Sequence, residues 1–198
     1  MSRIIAGAAG GTTLAAVPGD NTRPTTDRVK EALFSRLESY GVLDGARVLD
    51  LYAGSGALGL ESASRGAAAV DLVEAAEKAA AVCRRNADLI NDRLGAARVA
   101  VHRAKVETYL ARVPAELTWD LVFLDPPYGD AEPDLGTVLA QLAGHLADGA
   151  VVVVERSARS PEPQWPAGLE RFADRKYGET VLWFAEPAES GEAADGQS

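Results

Sequence analysis

The chain has 198 residues, 47% of them hydrophobic, and a formal net charge of −9. That length fits one domain with a sizeable core, and the acidic balance argues against a protein that grips nucleic acid by bulk charge alone. No apolar run reaches the roughly 20 residues of a membrane helix, and Cys83 is the only cysteine, which excludes an internal disulfide and a cysteine-based zinc site.

Arg3-Ile4-Ile5-Ala6-Gly7 is weakly signal-like, but Gly10-Gly11-Thr12-Thr13 breaks the apolar stretch early. Residues 3–17 therefore read as a hairpin, with strands at 3–6 and 12–17, and a cytoplasmic location is expected. Pro18-Gly19-Asp20-Asn21 is a loop. Thr26 is placed to cap a helix starting near Asp27, in which Val29, Ala32, Leu33, Leu37 and Tyr40 recur at helical spacing. In this region Arg3, Arg23, Arg28, Lys30 and Arg36 outweigh Asp20, Asp27, Glu31 and Glu38, which suggests a basic face.

From residue 47 strands and helices alternate, the pattern of a doubly wound α/β sheet. Strands are expected at 47–51, 69–74, 98–102, 120–125 and 151–155. Helices are expected at 57–65, 77–90, 105–112 and 133–146. The proline-rich stretch 157–166 is a loop, and 169–176 with 180–185 forms a terminal pair that makes one strand antiparallel. Three regions follow: an N-terminal hairpin and helix over 1–41, a core over 42–186, and an acidic tail over 187–198. The tail carries Glu189, Glu192 and Asp195 with no basic residue and is expected to be disordered.

The turn after the first central strand reads Asp50-Leu51-Tyr52-Ala53-Gly54-Ser55-Gly56. Glycines let a backbone approach a ligand closely, and the helix that follows offers free N–H groups. Gly54-x-Gly56-x-x-Gly59, with Glu74 about 20 residues on, formally matches a dinucleotide fingerprint. Nicotinamide and S-adenosylmethionine enzymes both place a nucleoside here and use an acid on the second strand for ribose. Asp50 favours the second class: a carboxylate ahead of the glycines repels a pyrophosphate and attracts an ammonium or sulfonium.

The fourth strand runs into Asp125-Pro126-Pro127-Tyr128, a stiff, acceptor-rich corner where open α/β sheets bind ligands. It resembles the signature of methyltransferases that act on exocyclic amines of bases. Such an amine is a poor nucleophile because its lone pair is delocalised into the ring. The Asp125 carboxylate and the Pro126 carbonyl can accept both amine hydrogens, Pro127 stiffens the loop, and Tyr128 can stack on the base.

Arg23-Pro24-Thr25-Thr26-Asp27-Arg28-Val29-Lys30-Glu31-Ala32-Leu33-Phe34 adds a more specific match. With the Arg3–Gly7 start, the Gly-rich loop, the acid-Pro-Pro corner and the terminal Lys176-Tyr177-Gly178 turn, it resembles the RsmD family of bacterial small-subunit ribosomal RNA guanine-N2 methyltransferases. The resemblance covers nearly all the chain except the tail. It implies a Rossmann-like class I methyltransferase sheet, S-adenosylmethionine as methyl donor, and a 16S ribosomal RNA substrate of the guanine-966 type. The RNA would be met within a small subunit or an assembly intermediate, by a monomer without metal or membrane. It further implies that Arg23 and Thr25 lie over the donor's methionine end, with Asp50, Ala53, Gly54, Ser55, Gly56 and Asp125 around it. Glu74 would hold the ribose, and Ala104 would lie by adenine, where Arg103 replaces the acid often found just before that position. The hairpin and basic helix face would help dock RNA.

Cys83 reads as a buried structural thiol, and Trp119, Trp165 and Trp183 as packing residues. His102 and His145 lack a metal partner in sequence, so no metal site is expected. Glu155, at the end of the fifth strand, is a further candidate site residue. Two other functions fit parts of the pattern: DNA adenine-N6 methylation, which the corner permits, and a nucleotide-dependent oxidoreductase, which Gly54, Gly56 and Gly59 permit.

Overall fold

The computed structural model describes residues 2–19, 25–127 and 134–190, and the backbone of 132–133. Arg23, Tyr128 and most of the acidic tail lie outside the described residues. A short ladder joins β1 (Ser2–Arg3) to β2 (Thr13–Leu14), and helix α1 (Asp27–Tyr40) follows. The core then runs β3 (Arg47–Leu51), α2 (Ala57–Ser64), β4 (Ala69–Glu74), α3 (Glu77–Leu94), β5 (Val99–Arg103), α4 (Val106–Arg112) and β6 (Trp119–Leu124). It continues through α5 (Glu132–Leu142), β7 (Leu146–Ser157), β8 (Leu169–Tyr177) and β9 (Thr180–Pro187). The seven core strands lie in the order β5-β4-β3-β6-β7-β9-β8, with β9 antiparallel to both its neighbours.

The central strands are apolar because helices cover both sheet faces. Alternate residues go to opposite layers: Val48, Val70, Leu72, Leu121, Phe123, Val151 and Val153 pack with α1, α2 and α3, whereas Leu49, Leu51, Val73, Val122, Leu124, Val152 and Val154 pack with α4 and α5. The expected α/β sheet with one antiparallel strand is what the chain forms.

Some boundaries differ. Helix α3 extends past 90 to Leu94, which packs on the core, and ends at Gly95 in the left-handed conformation at φ 65°. Helix α5 ends at Leu142, and after a 3-10 turn over Ala143–His145 the chain is already in β7 at Leu146. Leu146 pairs with Trp119 before the register shifts to Leu121–Val151, and Gly149 at φ 75° lies in that irregularity. The polar Asp148-Gly149 pair hides this first part of the strand from an apolar pattern.

The N-terminal segment is fastened mainly by side chains, since β1 and β2 pair at only two positions. Glu61 on α2 is fully buried and accepts from the Ile5 and Ala6 amides at 2.8 and 3.2 Å and from Arg65 Nε at 3.0 Å. Lys30 Nζ lies 3.6 Å from Glu61 and donates to the Arg3 carbonyl at 2.7 Å. Lys30 is therefore not part of a basic surface; it is a buried tether, and burial lowers its pKa against the pull of Glu61. Ser64 adds three bonds to the same segment, through Ala6, Ala8 and Ala9. Gly7, at φ 86°, passes so close that a Cβ there would fall 2.0 Å from the Ser64 carbonyl oxygen.

Breaking one member of a buried ion pair leaves its partner uncompensated. Lys30→Met is expected to cost about 3 kcal/mol of unfolding free energy, read by denaturant titration. Arg28→Gln, an exposed change on the same helix, is expected to shift stability by less than about 0.5 kcal/mol.

Candidate active site

Four neighbouring strands each end near a carboxylate. Across the sheet these are Glu74 on β4, Asp50 on β3, Asp125 one residue beyond β6, and Glu155 on β7. Asp50 pairs in register with Leu72 and Phe123, and Leu124 with Val154, so the four form a row. Strand alternation sends Asp50, Glu74 and Glu155 to the face that carries α1, α2 and α3. Among the described residues, no Lys or Arg forms an ion pair with Asp50, Glu74 or Glu155.

That concentration of unneutralised charge is costly, and Asp50 and Glu155 reflect it. Burial pushes the Asp50 carboxyl up to about 7; the Gly59 amide opposes this, while Glu74 and Glu155 push the same way. Burial also raises Glu155, opposed by the Thr25 hydroxyl. A cation set among these groups would relieve them.

The Gly-rich turn lies over this row. Tyr52 takes a positive φ of 59°, uncommon for a bulky residue, and swings the chain back above β3. The Ala53 amide donates to the Val73 carbonyl at 2.9 Å, and the Gly54 amide to Glu74 Oε2 at 2.9 Å. The other Glu74 oxygen accepts from the Ala76 amide at 3.0 Å, so one carboxylate ties the turn to the end of β4. Gly54, at φ 58°, faces open space. Gly59 has a packing role: a Cβ there would lie 2.2 Å from Leu72, and its amide donates to Asp50 Oδ2 at 3.0 Å. The third glycine thus brings α2 against the sheet and seats Asp50 under its first turn.

The N-terminal segment reaches the same place. Thr25 Oγ1 donates to Glu155, 3.1 Å from Oε2 and 3.4 Å from Oε1. Asn86 on α3, buried, has Oδ1 on the Ala15 amide at 2.9 Å and Nδ2 on the carbonyls of Ala15 at 3.0 Å and Ser55 at 2.9 Å. One side chain therefore joins the N-terminal segment to the Gly-rich turn. Sequence reasoning missed Asn86, Lys30 and Glu61, because a polar residue on a helix face looks solvated until its long-range backbone partners are known.

Beyond Asp125, Pro126 and Pro127 contribute no N–H. Asp125, Pro126, Glu155, Arg156, Ser157 and Thr180 line one cleft. Ala104 follows β5, and its amide reaches the Glu74 carbonyl at 3.3 Å. Arg103 lies 3.6 Å from Glu77, which meets its charge. The structure thus brings together Thr25, Asp50, Ala53, Gly54, Ser55, Gly56, Glu74, Ala104, Asp125, Pro126 and Pro127 at one end of the sheet.

The residues set aside are engaged elsewhere. Burial pushes the Cys83 thiol up to about 12. His102 Nε2 and Trp119 Nε1 lie 3.0 and 3.1 Å from the Asp71 carboxylate, and His145 Nδ1 is 2.8 Å from the Leu117 carbonyl. No cluster suited to a metal ion occurs among the described residues.

Asn86→Leu leaves part-buried backbone groups of Ala15 and Ser55 without their side-chain partner and is expected to cost about 2 kcal/mol. Hydrogen exchange should accelerate more at the Ala15 amide than at Val122 in the central sheet. Equal acceleration at both would show that Asn86 does not specifically fasten the segment.

A family model described as conserved hypothetical protein 95 matches residues 2–186. Ribosomal RNA small subunit methyltransferase D of Escherichia coli K12 is 34% identical over 96% of this chain and 92% of its own. The protein of that name from Haemophilus influenzae is 36% identical over 80% of each. The solved structure of yhhF from Escherichia coli has a TM-score of 0.78 at 31% identity, covering 93% of this chain and 97% of that one. With the fold, the turn and the corner in place, these matches show that the chain belongs to the family described as conserved hypothetical protein 95, the RsmD family.

Proposed function

We propose that the protein transfers a methyl group from S-adenosylmethionine to the exocyclic N2 amine of a guanine in 16S ribosomal RNA, of the guanine-966 type. The observation that carries this reading is the row of carboxylates that begins under a Gly-rich turn and ends at Asp125-Pro126-Pro127. Its donor half suits a ligand with an ammonium and a sulfonium and no phosphate. Its acceptor half suits an amine with two hydrogens to give. The ribosomal RNA methyltransferases among its relatives support the substrate class.

S-adenosylmethionine supplies, when bound, an electrophilic methyl group. Asp50 and the turn Ala53-Gly54-Ser55-Gly56 would hold its methionine part, with Arg23 and Thr25 above. Glu74 keeps acceptor capacity for ribose hydroxyls beyond its two amide bonds, and the backbone at Ala104 would meet adenine. Asp125 and the Pro126 carbonyl accept the two amine hydrogens, which localises the guanine lone pair and aims it; Tyr128 would stack on the base. Asp125 and the Pro126 carbonyl would align N2 with the donor's methyl group, and Asp125 or water would take the proton that the methylated amine gives up. Positioning and electrostatics supply most of the acceleration. The base must leave its stack to reach this cleft.

RNA would approach along α1. Asp27, Glu31 and Glu38 share one side of that helix, where Asp27 pairs with Arg3 and Glu38 with Arg65. The opposite side carries Arg28, Ala32, Arg36 and Ser39 with no acid, and faces β9 and β8: the Arg36 guanidinium lies 5.6 Å from the Phe184 ring, and Tyr40 meets Phe172. Arg175, exposed on β8 opposite Leu182, adds a cation to this crease. Its acid-free side suits phosphates despite the acidic whole. Within 1–41 the proposed docking role thus centres on α1, and the enzyme would act as a monomer on a small subunit or its precursor.

Asp125→Ala is expected to lower kcat by about 1000-fold or more while calorimetry shows S-adenosylmethionine still bound. Because the cationic donor favours ionised Asp50, whose carboxyl titrates at about 7, its affinity is expected to rise between pH 6 and 8. The rise approaches about tenfold per pH unit where Asp50 is mostly protonated. A flat profile would remove Asp50 from donor binding. Arg28→Gln with Arg175→Gln is expected to raise the KM for RNA about tenfold and reduce the salt slope by about 2, with donor affinity unchanged.

A further inference from the structure

Glu155 has no part in the methyl-transfer chemistry above, yet it lies in the cleft with Asp125. Register places the two side by side, since Leu124 pairs with Val154 and each acid follows one residue later. Adjacent strands run about 4.8 Å apart, so two carboxylates there can straddle two neighbouring donors on one edge of a planar base. Among the described residues the hydrogen-bond partner of Glu155 is the Thr25 hydroxyl and no Lys or Arg forms an ion pair with it. Burial raises its pKa, so the fold bears a cost to keep it.

Guanine offers what such a group needs. Its N2 amine lies next to a ring N1–H, so one edge presents a row of donors. Adenine presents an amine beside a ring nitrogen lone pair, which a carboxylate repels. We infer that Glu155 selects the target base by accepting the guanine N1–H beside the amine that Asp125 holds, with Thr25 fixing the carboxylate in place. The inference rests on the guanine reading and deepens it: Asp125 makes the amine reactive, and Glu155 decides which amine-bearing base is admitted. Thr25 thereby links base selection to the segment that would cover the methyl donor.

The experiment compares two RNA hairpins, one with the target guanine and one with 2-aminopurine in its place. The second keeps the N2 amine but has a lone pair at N1. The readout is the ratio of kcat/KM for the two within each variant, which does not depend on how much of a preparation is folded. The wild-type enzyme is expected to prefer guanine by about 100-fold or more, because the analogue leaves a buried acceptor unpaired. Glu155→Gln, whose amide can donate to the N1 lone pair, is expected to compress that ratio about tenfold or more, with the Kd for S-adenosylmethionine unchanged. Thr25→Val keeps the carboxylate but removes its anchor, and is expected to compress the ratio about fivefold.

A wild-type ratio in Glu155→Gln overturns the inference while leaving guanine methylation standing. So does a lower rate on both RNAs by the same factor, which marks a structural role. A wild-type enzyme that binds S-adenosylmethionine but methylates no guanine RNA overturns the functional reading, and this inference with it.

Discussion

The site is organised by an electrostatic debt. Asp50, Glu74 and Glu155 approach one another and Asp125 at the carboxyl ends of four adjacent strands, and no ion pair meets the first three among the described residues. Burial, with Glu74 and Glu155 adding to it against the Gly59 amide, pushes the Asp50 carboxyl up to about 7. A sheet does not need such an arrangement for stability; two apolar layers already hold it together. The row is coherent only with positive charge at one end and hydrogen-bond donors at the other. That is the chemistry the proposed cationic methyl donor and base amine would supply.

The described part of the N-terminal segment reaches this row at Thr25. It pairs as strand at only two positions, so its placement depends on side chains that reach it from the core. Glu61 and Ser64 on α2 hold residues 5–9, Lys30 holds Arg3, and Asn86 holds Ala15. Asn86 also bonds Ser55, so the turn and the segment are fixed by one amide. Thr25 completes the link by bonding Glu155 at the far end of the row. A segment held this way is fixed in place although it pairs as strand at only two described positions.

Much of this was legible in the sequence, for physical reasons. Apolar runs of four or five residues, such as Leu121–Leu124, have one good explanation in an alternating pattern, a strand covered on both faces. The turn announced itself because glycine is favoured where φ is positive, as at Gly54 and Gly56, and where a helix touches a strand, as at Gly59. The corner announced itself because two prolines after an acid are costly anywhere else. Long-range polar contacts were not legible. Lys30 reads as a surface cation within a basic stretch and is a buried tether. Asn86 sits in a charged run, Arg84-Arg85-Asn86, and nothing local marks its backbone partners 31 and 71 residues away. The start of β7 was hidden because Asp148-Gly149 reads as a turn, although the chain already pairs with β6 at Leu146.

The central claim is that this row of carboxylates serves methyl transfer to one guanine amine in 16S ribosomal RNA. Mass mapping of methylated guanines in small-subunit RNA, from cells with and without the protein, tests it most directly. One N2-methylguanine is expected to vanish when the protein is absent, to return with the wild-type chain, and to stay missing with Asp125→Ala. A methylation pattern that is unchanged by the loss of the protein would contradict the account.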